Sequence, residues 1–213
     1  MPPFFRRLIE AIVVTGTSAI CAQLLAQAAE PRSIAASLRE GGYVIVMRHG
    51  ATDPGTADVE PLDLDDPASI PKQRQLSERG RQVAREIGAG FTALRIPLND
   101  VYSSKFYRAI ETARLVSGKE PIATTDVSQA EGLTDAEADR RAAALRRVAA
   151  TPPAPGANTL VVTHKPNIVD AFGKSLFDVR EGEASVFKPD GHGKFVLVER
   201  VQADRWAQLA RVP

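Results

Sequence analysis

Cysteine and histidine are scarce in this chain of 213 residues, which has one cysteine, Cys21, and three histidines, His49, His164 and His192. A single cysteine excludes an internal disulfide, a zinc site built from thiolates and a CxxC redox pair. Any histidine-based chemistry must therefore use these three side chains. The sequence also lacks the GxSxG motif of α/β-hydrolases and the GxxxxGK[ST] motif of P-loop nucleotidases, so both classes are disfavoured.

An excess of charge of either sign is absent as well. Lys and Arg total 27, Asp and Glu total 26, and the formal net charge is +1. A nearly neutral chain is not built as a bulk nucleic-acid binder, so we expect no nucleic-acid partner. The apolar share of 44% and the charged share of 25% are typical of a soluble domain with one sizeable core.

Long apolar stretches are confined to the N-terminus. The pair Arg6-Arg7 precedes a mostly apolar stretch over residues 11–25, and Ala26-Gln27-Ala28 follows with small residues in an A-x-A pattern. This order predicts a signal peptide over 1–28 and a single periplasmic or secreted domain over 29–213, without cysteine, as suits an oxidising compartment. The alternative is an uncleaved N-terminal helix that anchors the protein to a membrane. No later stretch approaches the length of a membrane span, so we expect no membrane insertion once the leader is removed.

Short β-branched runs alternate with helical patterns along the rest of the chain. Residues 43–47 and 159–163 are mainly apolar and β-branched, which is typical of strands buried on both faces of a parallel sheet. The alternation predicts an α/β fold, a three-layer α/β/α sandwich around a mostly parallel central sheet. The adjacent runs 184–188 and 194–201 predict a hairpin, and therefore an antiparallel edge strand. Loop 53–75 is rich in Asp and Pro and is long enough that we expect it to shape a binding site, although the sequence assigns no role to its residues.

Two of the three histidines directly follow the predicted buried strands. His49 comes after residues 43–47 and His164 after residues 159–163. The carboxyl ends of parallel strands meet at one edge of a sheet, where ligands bind, so we expect the two imidazoles to lie within a few ångströms of each other. Arginines near the same edge can pair with phosphate oxygens. The pattern predicts an anion site in which a neutral histidine can act as a nucleophile, with a pKa lowered by the arginine charge.

Four segments of the sequence carry recognisable motifs, and they follow one another along the chain. They are Arg48-His49-Gly50-Ala51-Thr52, Leu76-Ser77-Glu78-Arg79-Gly80, Ser103-Ser104 with Arg108-Ala109-Ile110-Glu111-Thr112-Ala113, and Val161-Val162-Thr163-His164. In this order they resemble signature segments of the histidine phosphatase (phosphoglycerate mutase-like) superfamily. The first is similar to its RHGxT motif, the second to the L-[ST]-x-x-G opening of its first large helix, the third to its S-x…R-A-x-x-T-A segment and the fourth to its second-histidine strand. The family commonly has Glu where this chain has Ala51.

The resemblance implies a phosphomonoesterase that works through a phosphohistidine on His49 and needs neither a metal nor another cofactor. Arg48, Arg108 and His164 would hold the phosphate oxygens. A carboxylic acid would protonate the leaving oxygen. We favour Glu131 for this role, and the sequence leaves Asp126 and Asp135 as alternatives.

Other functions remain open at this point. One is a phosphoglycerate mutase-type phosphotransferase, although the short separation between Glu131 and His164 leaves little room for the insertions that such enzymes carry. Another is a non-catalytic phosphate-binding module. A metal triad of the two histidines and a carboxylate is disfavoured, because Arg48 and Arg108 would repel a dication. The expected partner is a small-molecule phosphate or a phosphorylated envelope component; the exact substrate and the oligomeric state are not predicted.

Overall fold

The computed structural model describes residues 33–129 and 132–211. Contacts divide the chain into Met1–Ser33 and Ile34–Pro213, and every helix and strand of the described residues lies in the second unit. The predicted signal peptide lies outside the described residues. Within the described ranges, no helix is both long and apolar enough to cross a membrane.

Helices and strands alternate through most of the described chain, as the sequence predicts. The α-helices are α1 (Ile34–Glu40), α2 (Glu78–Ala93), α3 (Tyr107–Ser117), α4 (Asp135–Ala150), α5 (Lys165–Phe172) and α6 (Arg205–Leu209). The strands are β1 (Val44–Arg48), β2 (Leu98–Ser104), β3 (Ile122–Thr124), β4 (Asn158–Thr163), β5 (Ala184–Pro189) and β6 (Phe195–Val201). Short 3-10 helices cover Pro67–Lys72, Thr125–Val127 and Lys174–Leu176.

The six strands form one mixed sheet in the order β3-β2-β4-β1-β5-β6. The first four strands in this order are parallel, β5 runs antiparallel to β1, and β6 pairs antiparallel with β5. The predicted α/β class and the antiparallel edge are therefore confirmed. Arg48 at the end of β1 is in register with Thr163 at the end of β4. The residues that follow these two strands are consequently neighbours.

Alternate residues of β1 face two separate cores, one on each side of the sheet. Ile45 and Met47 join a cluster that includes side chains of α1, α2, α3 and α6. Val44 and Val46 join a second cluster with side chains of α4 and α5. The sheet is therefore the middle layer of a three-layer sandwich. Burial on both faces explains why the central strands read as nearly continuous apolar runs.

The first turn of α2 packs directly against the segment that follows β1. The Ser77 backbone N–H donates to the Ala51 carbonyl (2.9 Å), and the Ser77 hydroxyl caps α2 by accepting from the Gly80 N–H (3.0 Å). A Cβ atom on Gly80 would lie 2.0 Å from the Ala51 carbonyl oxygen. Only glycine allows this close approach, which holds the backbone next to His49 in place.

Candidate active site

His49 lies directly after β1, and its backbone N–H donates to the Thr163 carbonyl of β4 (3.0 Å). Its Nδ1 atom is 2.7 Å from the Gly50 carbonyl oxygen. Because a carbonyl oxygen can only accept a hydrogen bond, Nδ1 carries the proton and Nε2 carries the lone pair. Nε2 is therefore the ring nitrogen that can attack phosphorus.

The environment of His49 keeps its imidazole neutral. The residue is only 2% exposed. Burial lowers the pKa of His49 to about 3; the charges of Arg108, Arg48 and Arg74 add to this shift, and the hydrogen bond to Gly50 opposes it. The sequence predicted a lowered pKa from arginine charge, but the main cause is the loss of water around the ring.

His164 follows β4 and occupies the N-cap position of α5. Its ring centroid lies 5.1 Å from that of His49, with the two ring planes inclined at 63°. The two histidines are therefore as close as the strand order predicts. Burial holds the pKa of His164 well below its usual value, and electrostatic interactions with His49 and with the three nearby arginines lower it further. The Nε2 atom of His164 is 2.7 Å from the Ser104 hydroxyl oxygen at the end of β2.

Arg48 and Arg108 each pair with a carboxylate that the sequence did not predict. Arg48 donates to the Val179 carbonyl (3.0 Å) and to Glu181 (3.1 Å), in the segment before β5. Arg108, in the first turn of α3, is fully buried, and its guanidinium lies 4.4 Å from the Phe106 ring centroid. Its Nη1 donates to Asp58 of loop 53–75 (3.0 Å). The site therefore contains the carboxylate side chains of Glu181 and Asp58 as well as cations.

Side chains of loop 53–75 attach it to the start of α3. The Asp58–Arg108 ion pair is one such contact, and an ion pair between Asp65 and Lys105 is another. A third is the Gln73 side-chain oxygen, which accepts from the Tyr107 backbone N–H (2.7 Å). The only sequence signal for these residues was the length and charge of the loop.

Arg74 at the end of this loop is a third cation of the site. Its charge lowers the pKa of both His49 and His164. Its backbone N–H donates to the Asp58 carboxylate (2.8 Å), so the same carboxylate contacts two arginines of the site. Sequence reasoning assigned no role to Arg74, because nothing in its local pattern distinguishes it from a surface arginine.

Thr112 connects α3 to the segment that carries His49. Its hydroxyl donates to the Arg108 carbonyl (2.7 Å) and accepts from the Gly50 N–H (3.0 Å). Arg108 and His49 are thereby fixed relative to each other by one hydroxyl group. This contact gives a physical reason for a threonine four residues after the arginine in this segment.

The candidate acids have different positions. Glu131 lies outside the described residues. Asp126 accepts from Arg140 (2.6 Å), and its side chain is 47% exposed. Asp135 is exposed in the first turn of α4. The described residues contain no group of three or more His, Cys, Asp and Glu side chains that could hold a metal ion.

Comparison with known proteins agrees with this geometry. Residues 44–140 match the family model of the histidine phosphatase superfamily (branch 1). Over these residues, slightly less than half of the chain, the sequence is similar to the histidine phosphatase superfamily. The matched segment contains His49, Arg108 and loop 53–75, whereas His164 lies beyond it. No curated protein sequence matches the chain.

Several solved phosphatases share the fold of this chain. The protein histidine phosphatase SixA complexed with tungstate has 16% identity and a TM-score of 0.52, over 76% of this chain and 98% of that chain. A phosphoserine phosphatase mutant from Entamoeba histolytica, in complex with phosphoserine, has 16% identity and a TM-score of 0.53, over 76% and 97%. A mycobacterial glucosyl-3-phosphoglycerate phosphatase, in complex with VO3, has 19% identity and a TM-score of 0.52, over 74% and 98%. At these identities the likeness shows the fold; together with the family match it supports a phosphatase.

Proposed function

We propose that this protein is a member of the histidine phosphatase superfamily and a phosphomonoesterase that works through a phosphohistidine on His49. The observation that carries the proposal is the state of the His49 ring. It is buried and neutral, its Nδ1 proton is held by the Gly50 carbonyl, and its Nε2 lone pair is available. Three arginines whose charges act on this ring supply the cations that a phosphoryl group requires.

The reaction follows from these groups in two steps. In the first, Nε2 of His49 forms a bond to phosphorus while the bond to the leaving oxygen breaks, and an acid gives that oxygen a proton. In the second, the deprotonated acid takes a proton from water, the water oxygen attacks phosphorus and the bond to Nε2 breaks, which releases inorganic phosphate and restores both the acid and neutral His49. Arg48, Arg108 and His164 are proposed to hold the phosphate oxygens and to stabilise the charge that develops on them.

Glu131 remains the proposed acid. Its position in the sequence supports this choice, because it closely follows Ser128, which is hydrogen-bonded to the Ser104 hydroxyl beside His164. Asp126 is a weaker candidate, since its carboxylate is occupied by Arg140, and Asp135 is a weaker one because it lies in solvent.

The proposed substrate is a small-molecule phosphate or a phosphorylated envelope component, and the proposed location is the periplasm or the exterior of the cell. The N-terminal pattern of Arg6-Arg7, an apolar stretch and Ala26-Gln27-Ala28 supports export. N-terminal sequencing of the protein from its native host tests this: a mature chain that begins near Ala29 is expected, and one that begins at Met1 in the cytosol would contradict it.

The decisive test is to trap the phosphoenzyme. Rapid quenching during turnover of an aryl phosphate should yield an acid-labile, base-stable phosphoryl group that peptide mapping places on His49. His49→Ala should remove the intermediate and lower kcat by several orders of magnitude, because it removes the proposed nucleophile. His192→Ala is the matched control, since His192 lies in an exposed turn. A phosphoryl group on another residue, or an active His49→Ala protein, would overturn the proposal.

A further inference from the structure

We propose that Ser104 and Ser128 are positioning residues that keep the proton of neutral His164 on Nε2, so that Nδ1 must gain a proton when the site binds an oxyanion. This inference rests on the proposed function, because it takes the site to be one that binds phosphate-like anions. It concerns the protonation of the second histidine, and neither serine contacts the reacting atoms.

The two hydroxyls form a chain that ends on a backbone carbonyl. His164 Nε2 lies 2.7 Å from the Ser104 oxygen, and the Ser104 hydroxyl lies 3.1 Å from the Ser128 oxygen. The Ser128 hydroxyl in turn lies 2.9 Å from the Thr124 carbonyl oxygen. Ser104, Ser128 and His164 are all buried, so water does not compete for these bonds.

The direction of the chain follows from the acceptor at its end. The Thr124 carbonyl can only accept, so the single proton of Ser128 points to it. Ser128 must then accept from Ser104, and Ser104 must accept from His164. The backbone supports this assignment, because the Lys105 N–H also donates to Ser128 (3.0 Å) and the Phe106 N–H also donates to Ser104 (3.1 Å). Each hydroxyl thus gives its one proton and uses both of its lone pairs.

The reverse direction would leave two acceptors in contact. If Ser104 donated to His164, it could not also donate to Ser128. Either Ser128 would then donate to Ser104 and face the Thr124 carbonyl oxygen at 2.9 Å without a proton, or it would keep its bond to Thr124 and the two serine oxygens would face each other at 3.1 Å without one. Either buried contact is unfavourable, because it opposes the lone pairs of two acceptors.

With Nε2 fixed as a donor, the lone pair of a neutral His164 is on Nδ1. This atom is buried and has no hydrogen-bond partner among the described residues. Burial keeps the pKa of the unliganded ring well below its usual value. Before an oxyanion binds, Nδ1 of His164 therefore carries a lone pair rather than a proton.

The groups around the His164 ring favour its neutral form until an anion binds. His49 faces it from the end of β1, Arg48 from the same strand end, Arg108 from α3 and Arg74 from loop 53–75. Two carboxylates are attached to this cluster: Asp58, which is paired with Arg108, and Glu181, which is paired with Arg48. A bound dianion adds two negative charges beside Nδ1, which favours a protonated ring. Binding then takes up one proton from solvent, and that proton lies between Nδ1 and an oxygen of the anion.

The tautomer can be measured on the unliganded wild-type protein without any substitution. Long-range ¹H–¹⁵N correlation spectra distinguish the two neutral tautomers of histidine, and His192→Gln and His49→Gln variants assign the three rings. We expect His164 to carry its proton on Nε2 and His49 to carry it on Nδ1. An Nδ1–H signal for His164 would overturn the proposal.

Proton uptake tests the role of the serines. Tungstate binding is measured by titration calorimetry near pH 8 in buffers of different ionisation enthalpy. Ser128→Ala frees the Ser104 proton to turn toward Nε2, so that Nδ1 of the neutral ring can donate directly to the anion. We expect Ser128→Ala to take up about one proton less than wild type. Ser103→Ala is the matched control, because its buried hydroxyl has no hydrogen-bond partner among the described residues; its uptake should equal that of wild type. Equal uptake in wild type and Ser128→Ala would overturn the proposal.

Failure of this inference is distinguishable from failure of the proposed function. If no phosphohistidine forms but His164 has the Nε2–H tautomer and Ser128→Ala lowers proton uptake, the catalytic proposal fails and the hydroxyl chain stands. If phosphohistidine forms on His49 but the tautomer or the uptake difference is absent, the catalytic proposal stands and the hydroxyl chain fails. If tungstate does not bind, the anion site is contradicted, and the tautomer spectrum still decides whether the serines orient His164.

Discussion

The strand ends and loop 53–75 contribute to the same site in different ways. The strand ends supply His49 and His164, which are buried, neutral and held by hydrogen bonds to a backbone carbonyl and to a hydroxyl. The loop supplies charged groups, Asp58 and Arg74, and attaches to α3 through side chains. The first region fixes which atoms can react, and the second sets how much charge surrounds them.

This difference suggests that the strand ends serve the reaction and the loop serves substrate binding. A residue on a strand end is positioned by the register of the sheet, to a precision that catalysis requires. The loop contacts Arg108 through a carboxylate, so an anionic ligand can replace Asp58 with a charge of the same sign. We therefore expect substitutions at the strand ends to change kcat and substitutions in the loop to change KM.

The largest remaining effect is expected at the second histidine. His164→Ala removes a group that stabilises charge on the phosphoryl oxygens but leaves the nucleophile intact, so kcat should fall by ~10²–10³ while phosphohistidine still forms slowly. Rapid-quench trapping with an aryl phosphate measures both quantities. Complete loss of the intermediate would mean that His164 is as necessary to the attack as His49.

A smaller effect, and one on binding, is expected in the loop. Asp58→Asn removes the negative charge that occupies Arg108, so KM and the inhibition constant for inorganic phosphate should each fall by roughly threefold to tenfold, with little change in kcat. Asp65→Asn is the matched control, because it removes one charge from the same loop without touching Arg108. A rise in KM would show instead that Asp58 orients Arg108 for the substrate.

A separate effect is on stability, and it depends on pH. Both histidines are neutral in the folded protein because their pKa values lie below the usual 6.5, at about 3 for His49. The unfolded chain protonates them near pH 6.5, so it binds more protons below that pH. The two neutral histidines make their full contribution to the free energy of unfolding above pH 6.5. This contribution falls as the pH drops toward 3, by about 1.4 kcal/mol per pH unit for each histidine.

Urea unfolding between pH 7.5 and 4.5 measures this slope. Carboxylates with lowered pKa values, such as Glu137 and Asp178, contribute mainly below that window. A His49→Gln/His164→Gln double variant should lose most of the slope, whereas His192→Gln should keep it. A wild-type protein with a flat profile over this range would contradict the neutral histidine pair.

The sequence by itself determined the architecture and predicted most of the candidate site residues. Buried β-branched runs and helical periodicity predicted the α/β sheet, because these patterns are local. His49 and His164 could be placed together for the same reason: each directly follows a buried strand, and parallel strands end at one edge. Arg48 and Arg108 followed from the resemblance of their segments to the histidine phosphatase family.

Tertiary structure alone decided which groups contact these residues. Asp58 meets Arg108 across fifty positions of sequence, and Ser104 meets Ser128 across 24. No periodicity records such pairs, because they depend on how a loop lies over the sheet and on which strands are neighbours. The cause of the low pKa of His49 was decided in the same way, since burial is a property of the packed domain rather than of the residues beside it in the chain.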